Sequence, residues 1–259
     1  MNGAPILQAS RATLGYRSAA GDTHLSLRGL DLSIAAGQFL CLLGPSGCGK
    51  TTLLKALGGF LAPLEGAVLY KGRELAAPTP DIVMIFQENN LYPWLTVEKN
   101  VAFGPRMRGV PAAEIRDLTD RLLETVGLRE ARARYPHQLS GGMRQRVSIA
   151  RALAANSRVL LLDEPFSALD VSLRRRMQVF LREVWQSTGT TIVMVTHGVE
   201  EAILVGQRVL VLGANGAGIL DDIDCSAPQF KDRYSPRFLE LQRRLEGMLG
   251  DDDDRGEAA

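Results

Sequence analysis

Cysteine is scarce. Three residues in 259, Cys41, Cys48 and Cys225, form an odd and widely spaced set. That is neither a disulfide framework nor a zinc site, and it points to a reducing, cytosolic compartment. Charge imbalance is missing too. Thirty Lys and Arg stand against 29 Asp and Glu, a net charge of +1. No global basic field exists to draw in nucleic acid or anionic lipid. Long hydrophobic runs are absent. The nearest candidate, residues 202–220, is broken by Gln207, Arg208 and four glycines, and reads as helix–strand–turn–strand rather than a membrane span. The first eleven residues lack the basic-then-apolar layout of a signal peptide. There is no internal repeat, and the only low-complexity tract is the aspartate run 251–254.

What is present is ordinary globular composition. The 46% hydrophobic and 23% charged residues exclude wholesale disorder and suit one or two domains. Residues 7–16 and 25–34 are partly alternating runs around a polar stretch, an expected β-hairpin. Residues 39–43 are continuously apolar and glycine-flanked, the pattern of a strand covered on both faces. Residues 82–86, 159–162 and 191–195 read the same way, with helical patterns between. Buried strands alternating with helices predict an α/β fold with a mostly parallel core sheet and an antiparallel N-terminal β region. Residues 97–138 hold no convincing strand and read as a helical insertion, extending to about 156 with the helix that follows. Leu173, Met177, Phe180 and Val184 recur at helical spacing. A last helix starts at Ser235-Pro236. Residues 1–250 are expected to form a single domain, and 251–259 an acidic disordered tail.

The segment Gly44-Pro45-Ser46-Gly47-Cys48-Gly49-Lys50-Thr51 fits the phosphate-loop pattern, after a strand and opening a helical run. Small residues let successive backbone N–H groups converge on phosphate oxygens. The helix adds its free amides and positive dipole end. Lys50 supplies a point charge to the β/γ-phosphates, and Thr51 a hydroxyl to Mg²⁺.

Residues 159–162 lead into Asp163 and Glu164. An acid at a strand tip beside a phosphate loop holds Mg²⁺, which suits Asp163. Glu164 is then placed to act on the attacking water as general base. These features mark a nucleotide triphosphatase. No Asn-Lys-x-Asp element for guanine occurs. The run Leu139-Ser140-Gly141-Gly142-Met143-Arg144-Gln145-Arg146 puts Ser140, Gly141 and Gly142 just before a helical stretch, a second helix-N-terminus anion site. One chain cannot easily aim both sites at one γ-phosphate.

With these motifs in this order, the chain resembles an ATP-binding subunit of an ABC transporter over roughly residues 7–225. The resemblance implies an ABC-type P-loop ATPase using ATP and Mg²⁺. Tyr16 matches the aromatic that stacks on adenine. Gly44 to Thr51, with Thr52, match the phosphate loop. Gln87 matches the glutamine that reaches Mg²⁺ and senses the membrane subunit, beside Thr51 and Asp163. His197 matches the switch histidine at the γ-phosphate, a catalytic role shared with Glu164 and Gln87. Asp170 matches the loop that communicates between subunits. Ser140, Gly141 and Gly142 match the signature that contacts ATP on the other subunit. One departure stands out: the family usually has Asp after the switch histidine, where this chain has Gly198.

Residues 86–97, with Leu91-Tyr92-Pro93-Trp94, resemble the nitrate/sulfonate/taurine importer group. The implied partners are two integral-membrane permease subunits, a solute-binding protein, and a second copy of this chain when ATP binds; no nucleic acid is implied. The implied location is the cytoplasmic face of the inner membrane, peripheral. The alternative is a soluble ABC ATPase with no membrane partner. Such proteins usually carry a long coiled coil or two ATPase domains, and neither is visible.

Overall fold

In chain order the elements are β1 (Pro5–Arg17), β2 (Thr23–Ala35), β3 (Phe39–Leu43), α1 (Lys50–Leu57), β4 (Glu65–Tyr70), β5 (Arg73–Glu74), β6 (Ile82–Ile85), α2 (Val97–Met107), α3 (Ala112–Thr125), α4 (Gly141–Ala154), β7 (Val159–Asp163), α5 (Val171–Thr188), β8 (Thr191–Val195), α6 (Val199–Val205), β9 (Arg208–Leu212), β10 (Ile219–Asp224) and α7 (Pro236–Gly256). They come from a computed structural model, which describes residues 5–17, 23–86 and 90–256. The chain clusters into two compact units, 1–79 with 191–259, and 80–190.

The first unit holds an antiparallel sheet in the order β2-β1-β4-β5, as expected for β1 and β2. Strands β4 and β5 are additions to the expected set, because the apolar run of β4 is short. Their signal is Lys71-Gly72, both at positive φ, a two-residue turn of the kind that joins hairpin strands. At Gly66 a Cβ would lie 2.2 Å from the Arg11 carbonyl oxygen, so β4 can cross the irregularity in β1 only with glycine there. The same unit holds parallel pairs of β3 with β8 and of β3 with β9, and an antiparallel pair of β9 with β10. Strands β3 and β8 are buried at every position, which is why they read as unbroken apolar runs. Strand β10 alternates half-buried and exposed residues, the pattern of a strand wet on one face. Stretch 202–220 is thus helix, strand, turn and strand, as its composition implied.

The second unit pairs β6 and β7 in parallel, Ile82 opposite Val159. Helices α2, α3 and α4 pack on one another, and α4 packs on β6. This unit contains the expected helical insertion and the strands on either side of it. The segment 97–138 is helical where it is regular.

Helix α7 begins where Ser235 predicted it, with Ser235 Oγ accepting from Phe238 N at 3.1 Å. It continues to Gly256, so helical backbone reaches six residues into the stretch expected to be a disordered tail. Once Phe238 and Leu245 are buried on one face, each further residue adds a backbone hydrogen bond without a new nucleation cost. Among the described residues no helix is long and apolar enough to cross a membrane.

Candidate functional site

The phosphate loop leaves the buried end of β3 and enters α1. Its shape is a set of steric constraints. A Cβ on Gly44 would lie 2.6 Å from the Leu212 carbonyl oxygen and 2.7 Å from Cys48 Sγ. Gly47 and Gly49 have φ of +79° and +101°, a region L side chains rarely enter. The residues present therefore form a cradle that larger side chains could not form. The first turn of α1 faces the loop with the helix's positive end. Lys50 is only 5% exposed. Its Nζ donates to the Gly44 and Pro45 carbonyl oxygens, both at 2.7 Å. The ammonium thus lies inside the loop, on acceptors weaker than a phosphate oxygen. Cys48 is 1% exposed, and burial pushes its thiol pKa up against the opposing pull of Lys50. Thr51 is half-buried. Thr52 is buried, its hydroxyl 3.5 Å from Ser26 Oγ, and it faces β2.

Two more expected residues lie in this unit. Tyr16 is 43% exposed near the end of β1. His197 is exposed just beyond β8. Thr196 Oγ1 accepts from Gly198 N at 3.0 Å and donates to Glu201 Oε2. Gly198 is the N-cap of α6 and has no side chain to cap it. Where the family's Asp is missing, the loop carrying His197 is held by Thr196 and Glu201, and no sequence motif marks either of them.

The second unit holds the acidic pair and the signature. Asp163 is 3% exposed at the tip of β7. Glu164 follows, half-buried, at φ +47°, a conformation uncommon for a non-glycine residue and typical of functional sites. Ser140 is the N-cap of α4, its Oγ accepting from Met143 N at 3.3 Å, and it is exposed. A Cβ on Gly142 would press to 3.1 Å from the Ala168 carbonyl oxygen. Arg144 and Arg146 donate to the Leu139 and Val126 carbonyls, each at 2.9 Å, and anchor the start of α4. Asp170 caps α5, its Oδ1 accepting from Leu173 N at 2.9 Å. That is a structural duty beyond the one its motif implies. Gln145 stands within the signature run without a role of its own there; in the structure it is buried and donates to the Glu164 carbonyl. A signal exists in the sequence, since a glutamine on the buried face of a helix must find a partner. Gln87 lies outside the described residues.

Among the described residues no group of three or more metal-binding side chains occurs. Mg²⁺ needs none, because it keeps waters and takes one or two carboxylates plus substrate phosphates. The buried Asp163 carboxylate is a donor of that kind.

Also in the second unit, Tyr92 packs on Phe103 with ring centroids 4.5 Å apart and on Trp94 at 5.7 Å. The Arg151 guanidinium lies 5.2 Å from the Tyr92 ring centroid and donates to the Asn90 carbonyl at 2.9 Å. Burial lowers the Arg151 pKa. Asn100, fully buried, clamps the backbone of Tyr92, Leu95 and Thr96. Asn90, Tyr92, Phe103 and Arg151 border a cavity of about 360 Å³. Trp94 is 70% exposed.

Residues 27–167 match the family model described as ABC transporter. A taurine import ATP-binding protein of Chromobacterium violaceum is 42% identical over 250 residues, 92% of this chain and 94% of that protein. The chain belongs to the ABC transporter family. A nitrate import ATP-binding protein of Synechocystis is 37% identical over 241 residues, 93% of this chain and 89% of the relative. The fold matches the solved ATP-binding cassette MJ0796, described as a dimeric post-hydrolysis state bound to ADP and phosphate. Its TM-score is 0.76 at 29% identity, over 85% of this chain and 99% of that one. This ABC ATPase therefore binds and hydrolyses ATP, as the phosphate loop implied, on the mixed α/β fold of a P-loop NTPase.

Proposed function

We propose that this ABC ATPase is the energy-coupling subunit of an importer for a small solute such as nitrate, taurine or another sulfonate. It works at the cytoplasmic face of the inner membrane with two permease subunits and a solute-binding protein. The observation that carries the reading is that one chain presents two separate helix N-termini built for anions, at Lys50 and at Ser140. A two-fold pair of chains puts both to use, each Ser140-Gly141-Gly142 capping ATP held by the partner's phosphate loop. The taurine and nitrate relatives support the importer reading, and the dimeric state of the solved MJ0796 cassette supports the pairing.

In the chemistry, Lys50 leaves the Gly44 and Pro45 carbonyls for the β- and γ-phosphates while the loop amides bind the same oxygens. Thr51, Gln87 and Asp163 would hold Mg²⁺, which supplies charge neutralisation at the phosphate oxygens. Tyr16 stacks on adenine. Glu164 accepts a proton from water as the water oxygen bonds to the γ-phosphorus and the bond to the ADP oxygen breaks. His197 donates to the γ-phosphate. Asp170, at the start of α5, faces the partner subunit's loop.

The Tyr92–Trp94 surface, with Phe103 and Arg151, docks a short helix of a permease subunit. An exposed tryptophan over half-buried aromatics beside a cavity is a typical interface anchor. The test is Trp94→Ala in the assembled transporter. Transport should fall while ATP hydrolysis by the isolated subunit stays within about twofold, since an exposed side chain away from the site costs little stability. Unchanged transport and assembly would put the permease interface elsewhere on the chain; failure of any permease chain to co-purify with this subunit would favour the soluble ATPase without a membrane partner.

A further inference from the structure

Glu164 is followed by Pro165, so the peptide joining them has no N–H. Its orientation can be set only through the Glu164 carbonyl. Among the described residues three donors meet that oxygen. Ser167 N and Ser167 Oγ come from the same turn, at 3.3 and 3.0 Å. The third is Gln145 Nε2, at 3.1 Å, from helix α4. Gln145 is 2% exposed, so its amide has no water to replace a lost partner. The residue it holds has φ of +47°, and such a conformation persists only where the surroundings impose it.

Two functional positions sit in the first two turns of helix α4, a single rigid element. Ser140 caps its N-terminus and is exposed there. Gln145 lies five residues further, about 7.5 Å along the axis at the usual helical rise. A force on the N-terminus therefore reaches the Glu164 carbonyl through backbone and one side chain.

We propose that Gln145 is a positioning residue that ties the signature helix to the backbone of Glu164, so that a nucleotide engaged at Ser140 sets the conformation of the base on the same chain. This rests on the roles given to Glu164 and Ser140 above. In the paired arrangement those two residues of one chain serve different ATP molecules. Occupancy of one site then prepares the chemistry at the other, through a named hydrogen bond with two arrangements, made and broken.

The test is Gln145→Leu, close in size but unable to donate, in the full chain. With Mg-ATP as substrate, kcat should fall at least about tenfold, the scale of a misplaced general base. The Hill coefficient for ATP, which the proposal expects to exceed one in the wild type, should fall to one. Binding of a fluorescent ATP analogue should stay within about twofold and thermal unfolding should remain cooperative, because the phosphate loop is untouched. Gln145→Glu covers the case in which the leucine variant misfolds. Its carboxylate repels the Glu164 carbonyl when ionised and donates to it when protonated. Relative to wild type, its activity should therefore recover as pH falls. Wild-type kcat and Hill coefficient in Gln145→Leu, or a Gln145→Glu activity ratio flat with pH, would overturn the proposal. Glu164→Gln separates the two readings. If it still hydrolyses ATP, the base assignment fails. If it is inactive while Gln145→Leu is like wild type, only the positioning role fails.

Discussion

The two halves of the nucleotide chemistry are built in opposite ways. The phosphate loop is one contiguous segment whose geometry is written in small residues, with Lys50 folded onto carbonyls five and six positions back. The Glu164 corner is assembled from residues far apart in sequence, with its carbonyl held by Gln145 nineteen residues away. A local loop works through backbone amides that almost any neighbouring fold would leave in place. An assembled corner depends on the packing of α4 against its own unit. Changes in the first should destroy binding; changes in the second should spare binding and destroy turnover.

The largest effect is expected at Lys50. Lys50→Ala removes the cation buried in the loop, and hydrolysis should fall at least about 100-fold with ATP affinity lost as well. Equilibrium binding of a fluorescent ATP analogue and phosphate release measure the two together. Wild-type-like turnover would dissolve the contrast at its stronger end. Next comes Glu164→Gln, which keeps the shape of the side chain and removes the base. Hydrolysis should fall by about 100-fold or more with binding intact, and light scattering in Mg-ATP should find a persistent dimer. Adding Ser140→Arg places bulk and charge at the signature and should return that dimer to monomer. A Glu164→Gln protein that stays monomeric at saturating ATP would sink the shared-site reading. The smallest effect belongs to Asp170→Ala. The loss of the α5 cap should cost about 1 kcal/mol, read as a lower urea midpoint at unchanged slope. If Asp170 acts only as a cap, Asp170→Ser should restore both stability and activity. A stability rescue without activity would separate its duty toward the partner from its duty to α5.

The phosphate loop was legible because its chemistry and its folding use the same adjacent residues. Strands β3, β7 and β8 were legible because burial on both faces leaves an unbroken apolar run. Strands β4 and β5 were not, since a short strand shows itself only through the pairing it finds with β1 and through Lys71-Gly72. The acids Asp163 and Glu164 could be named from their place at a strand end. The left-handed backbone of Glu164 could not, because it follows from the turn at Pro165 and the donors that converge there. The Gly198 departure was visible as a missing carboxylate. What replaces it, the Thr196–Glu201 pair, emerged only when α6 folded back one turn to bring Glu201 within reach.

By itself the sequence determined the periodicities, the glycine cradle and the order of motifs, and with them the family and its reaction. Each of these depends on neighbours along the chain, where spacing alone decides what can meet. Tertiary structure decided which polar side chains lost water and which partners they had to accept. Gln145 came to hold Glu164 and Asn100 to clamp the Tyr92 loop for that reason. A buried hydrogen-bonding group has no choice but the acceptors that packing leaves within about 3 Å, and no local pattern of residues encodes which those will be.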